Sequence, residues 1–254
     1  MLDLVNVSKS YRHGVETKKA LDSVHLTVNT GEIVGLVGES GSGKSTLARV
    51  VMQLESIESG SILFNGQTVT RKNRKSFYEA SQLIFQNAAA ALNPSWTVRE
   101  ILHEPLRTMK GDREAHIRHM LTRVKLSESH LQRYPSELSG GERQRVNLLR
   151  SLLVEPKLLI CDEIVSNLDR LIQKEIIDLL LELNREMRMT ILFIAHDLQA
   201  VMYMCNRVYV MKDGEIIDES TKTNGEFHFS HSYSKQLFDS VLGSRIKAQI
   251  NESL

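Results

Sequence analysis

Cysteine is nearly absent. The 254 residues contain two, Cys161 and Cys205, each inside an apolar stretch and neither with a second Cys or His at metal-ligand spacing. That sets aside a disulfide framework or a zinc site and leaves two buried thiols as the expectation. No run approaches the roughly 18 consecutive apolar residues of a spanning helix, and Met1-Leu2-Asp3-Leu4 lacks the basic region and apolar core of a secretory signal. A cytoplasmic chain that does not itself cross a membrane is therefore expected. An excess of one charge is missing too: 32 Lys and Arg against 31 Asp and Glu leave a net charge of +1, which offers little to a nucleic-acid backbone. Internal repeats and low-complexity tracts are also lacking. What remains, 41% apolar and 25% charged, is the composition of an ordinary globular protein of one large domain or two small ones.

Short β-branched runs come early, at Leu2–Val7, Val24–Val28, Ile33–Val37, Ser61–Phe64 and Gln82–Phe85, punctuated by Gly31-Glu32 and Asn65-Gly66. The later half alternates: strand Lys157–Cys161, helix Leu168–Met187, strand Thr190–Ala195, helix Asp197–Met204. That order predicts a parallel sheet covered by helices. Between the halves, from about Asn87 to Leu153, the sequence is mostly helical and broken by Pro94, Pro105 and Pro135, as expected of a helical subdomain inserted into an α/β core. Asn206–Met211, Asp213-Gly214 and Glu215–Asp218 predict a hairpin, because Asp-Gly supplies the positive φ angles of a two-residue turn. An amphipathic stretch near Tyr233–Leu242 follows.

Gly38-Glu39-Ser40-Gly41-Ser42-Gly43-Lys44-Ser45-Thr46 matches G-x-x-x-x-G-K-[ST], after one predicted strand and before the helical Leu47–Leu54. Its fixed positions coincide by chance in roughly one chain of this length in a hundred. The glycines let backbone N–H groups turn inward around phosphate oxygens, and the following helix points its positive end at them. In this pattern Lys44 reaches the β- and γ-phosphates of ATP and the Ser45 hydroxyl ligates Mg²⁺. Leu158-Leu159-Ile160-Cys161-Asp162-Glu163 is an apolar strand ending in two acids. Alone it is as well explained by a solvated turn. Beside a phosphate loop, Asp162 would hold Mg²⁺ and Glu163 would act as general base toward the attacking water.

Leu138-Ser139-Gly140-Gly141-Glu142-Arg143-Gln144-Arg145 opens a predicted helix with Ser-Gly-Gly, a second anion site that one nucleotide cannot easily use. The octapeptide resembles the signature motif of ABC ATPases, usually LSGGQ, with Glu142 in place of the glutamine. In that family the motif completes the ATP site of the partner subunit, which implies that Ser139, Gly140 and Gly141 bind nucleotide across a dimer. The other elements occur in the family's order. Tyr11 resembles the aromatic that stacks on adenine. Gln86 resembles the glutamine that touches Mg²⁺ and the attacking water. Ser166-Asn167-Leu168-Asp169 resembles the interface-crossing loop, with Asn167 for alanine and Asp169 as its acid. His196, in Ile194-Ala195-His196-Asp197, resembles the switch histidine that bonds the γ-phosphate. Ile164-Val165 stands where many relatives have Pro-Thr.

The resemblance covers about residues 2–242 and implies an α/β fold with a RecA-like P-loop core, an antiparallel β subdomain and an inserted helical subdomain. On this basis one ABC ATPase domain spans residues 1–242, with 1–86 and 154–230 as core and β subdomain and 87–153 as helical subdomain. Residues 243–254 form a short tail. A chromosome or DNA-repair ATPase needs a long coiled coil, for which the stretch from Lys44 to Asp162 is too short, and translation factors of the family normally carry two cassettes. A transporter motor is the better fit. Gln86-Asn87-Ala88-Ala89-Ala90-Ala91-Leu92-Asn93-Pro94 is similar to the stretch after the glutamine in oligopeptide, dipeptide and nickel importers, and Val98–Leu106 and Glu155–Ile160 look most like the nickel-import ATPases. His231-Ser232-Tyr233-Ser234 resembles a His-Pro-Tyr-Thr tail element of the same group, with its proline missing. The resemblance implies ATP and Mg²⁺ as cofactors and two integral membrane permeases as partners. It also implies a second, non-identical ABC ATPase, an extracytoplasmic solute-binding protein reached through the permeases, and a peripheral place on the cytoplasmic face of the inner membrane. The cargo that the resemblance implies is nickel or its chelate, with di-/oligopeptide or metallophore import as the alternative.

Overall fold

The computed structural model describes residues 1–13, 16–86, 91–166 and 168–240. The chain divides into two compact units: Met1–Val69 together with the residues from Leu192 onward, and Thr70–Ile191.

The first unit begins with an antiparallel sheet of β1 (Leu2–His13), β2 (Glu16–Val28), β4 (Ser59–Phe64) and β5 (Gln67–Thr68), in the order β2-β1-β4-β5. Alternation sets its register: Leu2, Leu4, Leu26, Val28 and Ile62 fall on one buried face, with Leu4 opposite both Leu26 and Ile62. β1 and β2 run well beyond the expected Leu2–Val7 and Val24–Val28. Their extensions are mostly polar, Leu21 being the buried exception, so they carry little apolar signal, and the ladder itself holds them, with register shifts around Val7 and Lys9.

The same unit holds β3 (Ile33–Val37), buried throughout, parallel to β9 (Arg207–Lys212), which pairs antiparallel with β10 (Glu215–Thr221). On the other side of β3 comes β8 (Thr190–Ile194), whose first residues belong to the second unit; just past its end Ala195 N–H donates to Leu36 O at 3.3 Å. At the β9–β10 turn Asp213 and Gly214 both take positive φ, 48° and 88°, as the hairpin reading requires. Arg207 ties the unit together, bonding Glu32 at 2.9 Å, Glu219 at 2.8 Å and Thr27 O at 2.7 Å. Helices α1 (Lys44–Val51) and α7 (Leu198–Met204) follow β3 and β8. A last helix, α8, covers residues 232–240, within the stretch expected to be amphipathic.

In the second unit β6 (Ser81–Ile84) lies parallel to β7 (Leu158–Asp162), Ile84 opposite Cys161, and Thr190 N–H at the start of β8 donates to Lys157 O at 2.9 Å. Helix α2 (Arg74–Ala80) precedes β6; it was not foreseen, because only Phe77 of its seven residues is buried and no period can show. Among the described residues from 91 to 153 there is no strand. They form α3 (Val98–His103), α4 (Arg113–Arg123), two 3-10 turns at Glu128–Gln132 and Pro135–Glu137, and α5 (Gly140–Leu152). Each α-helix here starts on a side-chain cap, Thr97, Asp112 and Ser139, an interaction of about 1 kcal/mol apiece. α6 (Arg170–Met187) buries Ile176, Ile177, Leu179, Leu180 and Leu183 at helical spacing, each side chain contributing about 1.5–3 kcal/mol. Cys161 and Cys205 are both buried and neither is in a disulfide, and burial pushes the Cys205 thiol up.

Candidate active site

The phosphate loop is built where β3 ends and α1 begins. Gly38 and Gly43 hold positive φ, 151° and 111°, and a Cβ at either would meet backbone: Met211 O at 2.0 Å and Ala20 O at 2.3 Å. Only glycine fits these two positions. Gly41, φ +82°, has open space around it, so there the requirement is conformational alone. Lys44 is 4% exposed, and its ammonium folds back over the loop and donates to Gly38 O at 2.9 Å, Glu39 O at 2.8 Å and Ser42 Oγ at 3.3 Å. Ser45 and Thr46 occupy the first turn of α1; Ser45 is half-buried and Thr46 buried. Ser40 stands exposed at the loop's crest. The β9–β10 turn braces the loop from outside, with Gly214 N–H donating to Ser42 O at 3.0 Å. The sequence did not point to that brace, since it joins segments far apart along the chain.

Two further expected residues lie in this unit. His196 is exposed just after β8, two residues beyond the end of the strand adjoining β3. Tyr11 on β1 donates its hydroxyl to Glu55, which also accepts from Arg49 Nε at 2.6 Å, and Lys9 lies 5.4 Å from the ring centroid.

The acids belong to the second unit. Because β6 and β7 are parallel, Gln86 leaves at the same end as Asp162 and Glu163. Gln86 Nε2 donates to Ser166 Oγ at 3.2 Å, and that hydroxyl donates to Glu163 O at 2.9 Å. Ser166 thus joins the glutamine to the acidic strand end. Asp162 is 7% exposed, while Glu163 holds a left-handed backbone, φ 54°, a conformation that costs a non-glycine residue of order 1 kcal/mol and gathers at functional sites. Ile164 and Val165 are both buried, so the turn is held by apolar packing where many relatives use Pro-Thr.

The signature segment shows a division of labour. Ser139 caps α5 in a reciprocal box: its Oγ accepts from Glu142 N–H at 3.2 Å and its N–H donates to Glu142 Oε2 at 2.7 Å. His130 Nε2 donates to the other oxygen of Glu142 at 3.0 Å, a carboxylate being an acceptor only, and His130 Nδ1 lies 3.1 Å from Ser127 N. The Ser139 N–H first, and His130 next, hold the Glu142 carboxyl down at about 2. His130 carried no signal in the sequence. A Cβ on Gly141 would meet Ile172 Cγ2 at 2.9 Å, so packing against α6 demands glycine there. A Cβ on Gly140 would meet only Leu168 Cδ2 at 3.8 Å; nothing within the unit requires glycine at that position. Asp169 caps α6, accepting from Ile172 N–H at 3.0 Å. Asn167 and residues 87–90 and 243–254 lie outside the described residues.

The structure thus groups Tyr11, residues 38–46 and His196 in one unit, and Gln86, Asp162, Glu163, Ser139–Gly141 and Asp169 in the other. A glycine-built phosphate loop after a parallel strand, a buried strand ending in acids and a Ser-Gly-Gly helix start together define a nucleotide-hydrolysing cassette. The sequence pattern of the ABC transporter family matches residues 21–166, more than half of the chain, and the chain belongs to that family as an ABC-type ATPase.

Among its relatives, the chain is 40% identical to the oligopeptide transport ATP-binding protein OppF of Streptococcus mutans, over 95% of this chain and 81% of that protein. It is 43% identical to the nickel import ATP-binding protein NikE of Escherichia coli K12, over 95% of this chain and 94% of that one. It is therefore an ATP-binding subunit of the peptide and nickel import group. The dimeric ATP-binding cassette MJ0796, in a post-hydrolysis state bound to ADP and Pi, matches with a TM-score of 0.78 at 28% identity, over 87% of this chain and 98% of that one. CbiO1 of Clostridium perfringens, part of the cbiONQ transporter complex, matches at 0.77 and 28%, over 86% and 87%.

Proposed function

We propose that this chain is the motor of a nickel importer, coupling ATP binding and hydrolysis to uptake of nickel or a nickel chelate. Two integral membrane permeases form the path, fed by an extracytoplasmic solute-binding protein. The observation that carries the cargo is the 43% identity to a nickel import ATPase across 94% of that protein. Among the described residues no helix is long and apolar enough to cross a membrane, which suits a peripheral subunit on the inner face. Residues 87–153 serve as the helical subdomain, and the permeases dock near Gln86 to Glu104.

In the mechanism, loop N–H groups and Lys44 take the β- and γ-phosphates, Lys44 exchanging its bonds to Gly38 O and Glu39 O for phosphate oxygens. Tyr11 offers its ring to adenine. Glu163 accepts a proton from water as the water oxygen bonds the γ-phosphorus and the bond to ADP breaks. Gln86 orients that water, and His196 donates to a γ-phosphate oxygen. Ser45, Gln86 and Asp162 are all oxygen donors and few in number, the set Mg²⁺ accepts when phosphates and water fill its other positions. When bound, Mg²⁺ supplies neutralisation of phosphate charge. Ser139, Gly140, Gly141 and Asp169 complete the site of a second, non-identical ATPase chain, and that chain's equivalents complete this one.

Peptide cargo is the second reading, favoured by the 40% identity to OppF. With permeases and binding protein reconstituted, nickel chelate should raise ATP turnover several-fold and short peptides should not. Stimulation by peptides alone would replace the first reading with the second.

A further inference from the structure

The tail element His231-Ser232-Tyr233-Ser234 has no part in that mechanism, yet it is anchored in a specific place. Asp218 on β10, buried, accepts from His231 N–H at 2.8 Å and Ser230 Oγ at 3.1 Å. Ser220 Oγ accepts from His228 N–H at 2.8 Å, and the rings of Phe229 and Phe238 meet at 4.3 Å. These contacts fix the entry and one face of α8.

So fixed, α8 presents Tyr233 to the β9–β10 hairpin. Lys212 Nζ lies 4.8 Å from the Tyr233 ring centroid, an arrangement in which the ring face attracts the ammonium. Lys212 sits between the two residues that brace the phosphate loop: Met211, whose carbonyl stands against Gly38, and the turn whose Gly214 N–H bonds Ser42 O. The Tyr233 hydroxyl is buried without a hydrogen bond of ordinary geometry. Burial, and after it the Glu39 side chain, push its pKa up. The tail helix therefore reaches the phosphate loop through Lys212 and its hairpin.

We propose that Tyr233 is a positioning residue for the phosphate loop: its ring holds Lys212 and the hairpin against Gly38 and Ser42, so the docking of α8 sets the affinity for ATP. The proposal rests on residues 38–46 being the ATP phosphate loop. A residue that shapes a loop before the nucleotide arrives acts on binding and leaves the chemical step alone. The structure assigns that work to the ring, through its hold on Lys212.

The test uses the full chain with a fluorescent ATP analogue, kcat and KM for ATP, and thermal midpoints, each measured well below the midpoint of the variant. Tyr233→Ala should raise Kd and KM about tenfold and leave kcat within twofold, whereas Tyr233→Phe should bind as the parent does. Should Tyr233→Ala fail to fold, Lys212→Ala tests the same link, with a rise of about threefold in Kd at an unchanged midpoint. Parent-like Kd in a folded Tyr233→Ala, or a lowered midpoint with unchanged KM, would overturn the proposal, as would parent-like Kd in Lys212→Ala. Lys44→Ala separates the two ideas. Normal ATP binding in that variant removes the phosphate-loop reading, while lost binding there beside parent-like Tyr233→Ala removes the tail proposal alone.

Discussion

Glu142 stands where the family usually has glutamine, and the structure shows what a carboxylate does there. It closes the capping box on Ser139 and takes the proton-bearing nitrogen of His130. These bonds favour its charged form, lowering its pKa from 4.5 to about 2, and since the folded value lies below the unfolded one, its stabilisation is complete above about pH 4.5 and is lost as pH falls toward 2. Glu142→Gln keeps an acceptor for the Ser139 N–H but loses the charge. Unfolding free energies of parent and Glu142→Gln should therefore differ at pH 7 and draw together as pH falls from about 4.5 toward 2, with ATP turnover retained at neutral pH. A difference independent of pH would show that the charge plays no part.

At the scale of the element, the two signature glycines make opposite predictions. Gly141→Ala forces a methyl to within 2.9 Å of Ile172 Cγ2, so α5 and α6 must part, at a cost of about 1–3 kcal/mol. Gly140→Ala meets nothing closer than 3.8 Å and exchanges glycine for a better helix former, so stability should hold or rise by up to about 1 kcal/mol. Its ATP turnover should nevertheless fall at least tenfold if a nucleotide approaches that backbone from a partner subunit. Denaturant titration together with an ATPase assay on both variants separates the packing role from the ligand role. Full activity in Gly140→Ala would remove residue 140 from the nucleotide site.

Elements also show how far local pattern reaches. β3, β7, β8 and the Asp213-Gly214 hairpin were legible because apolar runs and turn residues are local signals, and the contiguous phosphate-loop and signature motifs are local for the same reason. The mostly polar extensions of β1 and β2 were not, because ladder partners hold them more than their own side chains do. Nor were the contacts between His130 and Glu142, Gln86 and Ser166, or Tyr233 and Lys212. Each joins segments whose meeting depends on the fold, and a single histidine or tyrosine in a sequence carries no sign of its partner.

For the whole molecule, a near-neutral surface without a spanning helix among the described residues fits a chain that acts on a membrane through partners. The proposed function keeps the chemistry in this chain and leaves cargo recognition to its partners, so the ATPase centre is the part of the account that can be tested without knowing the cargo. Glu163 is its focus: a carboxylate held on a left-handed turn after a buried strand, its backbone carbonyl linked through Ser166 to Gln86. The most direct measurement is single-turnover ATP hydrolysis by Glu163→Gln, with nucleotide binding followed in parallel. The account predicts a fall of at least about a hundredfold in the hydrolysis rate, in line with loss of a general base, with ATP affinity unchanged and ATP-bound dimers accumulating. Undiminished hydrolysis in that variant would contradict it.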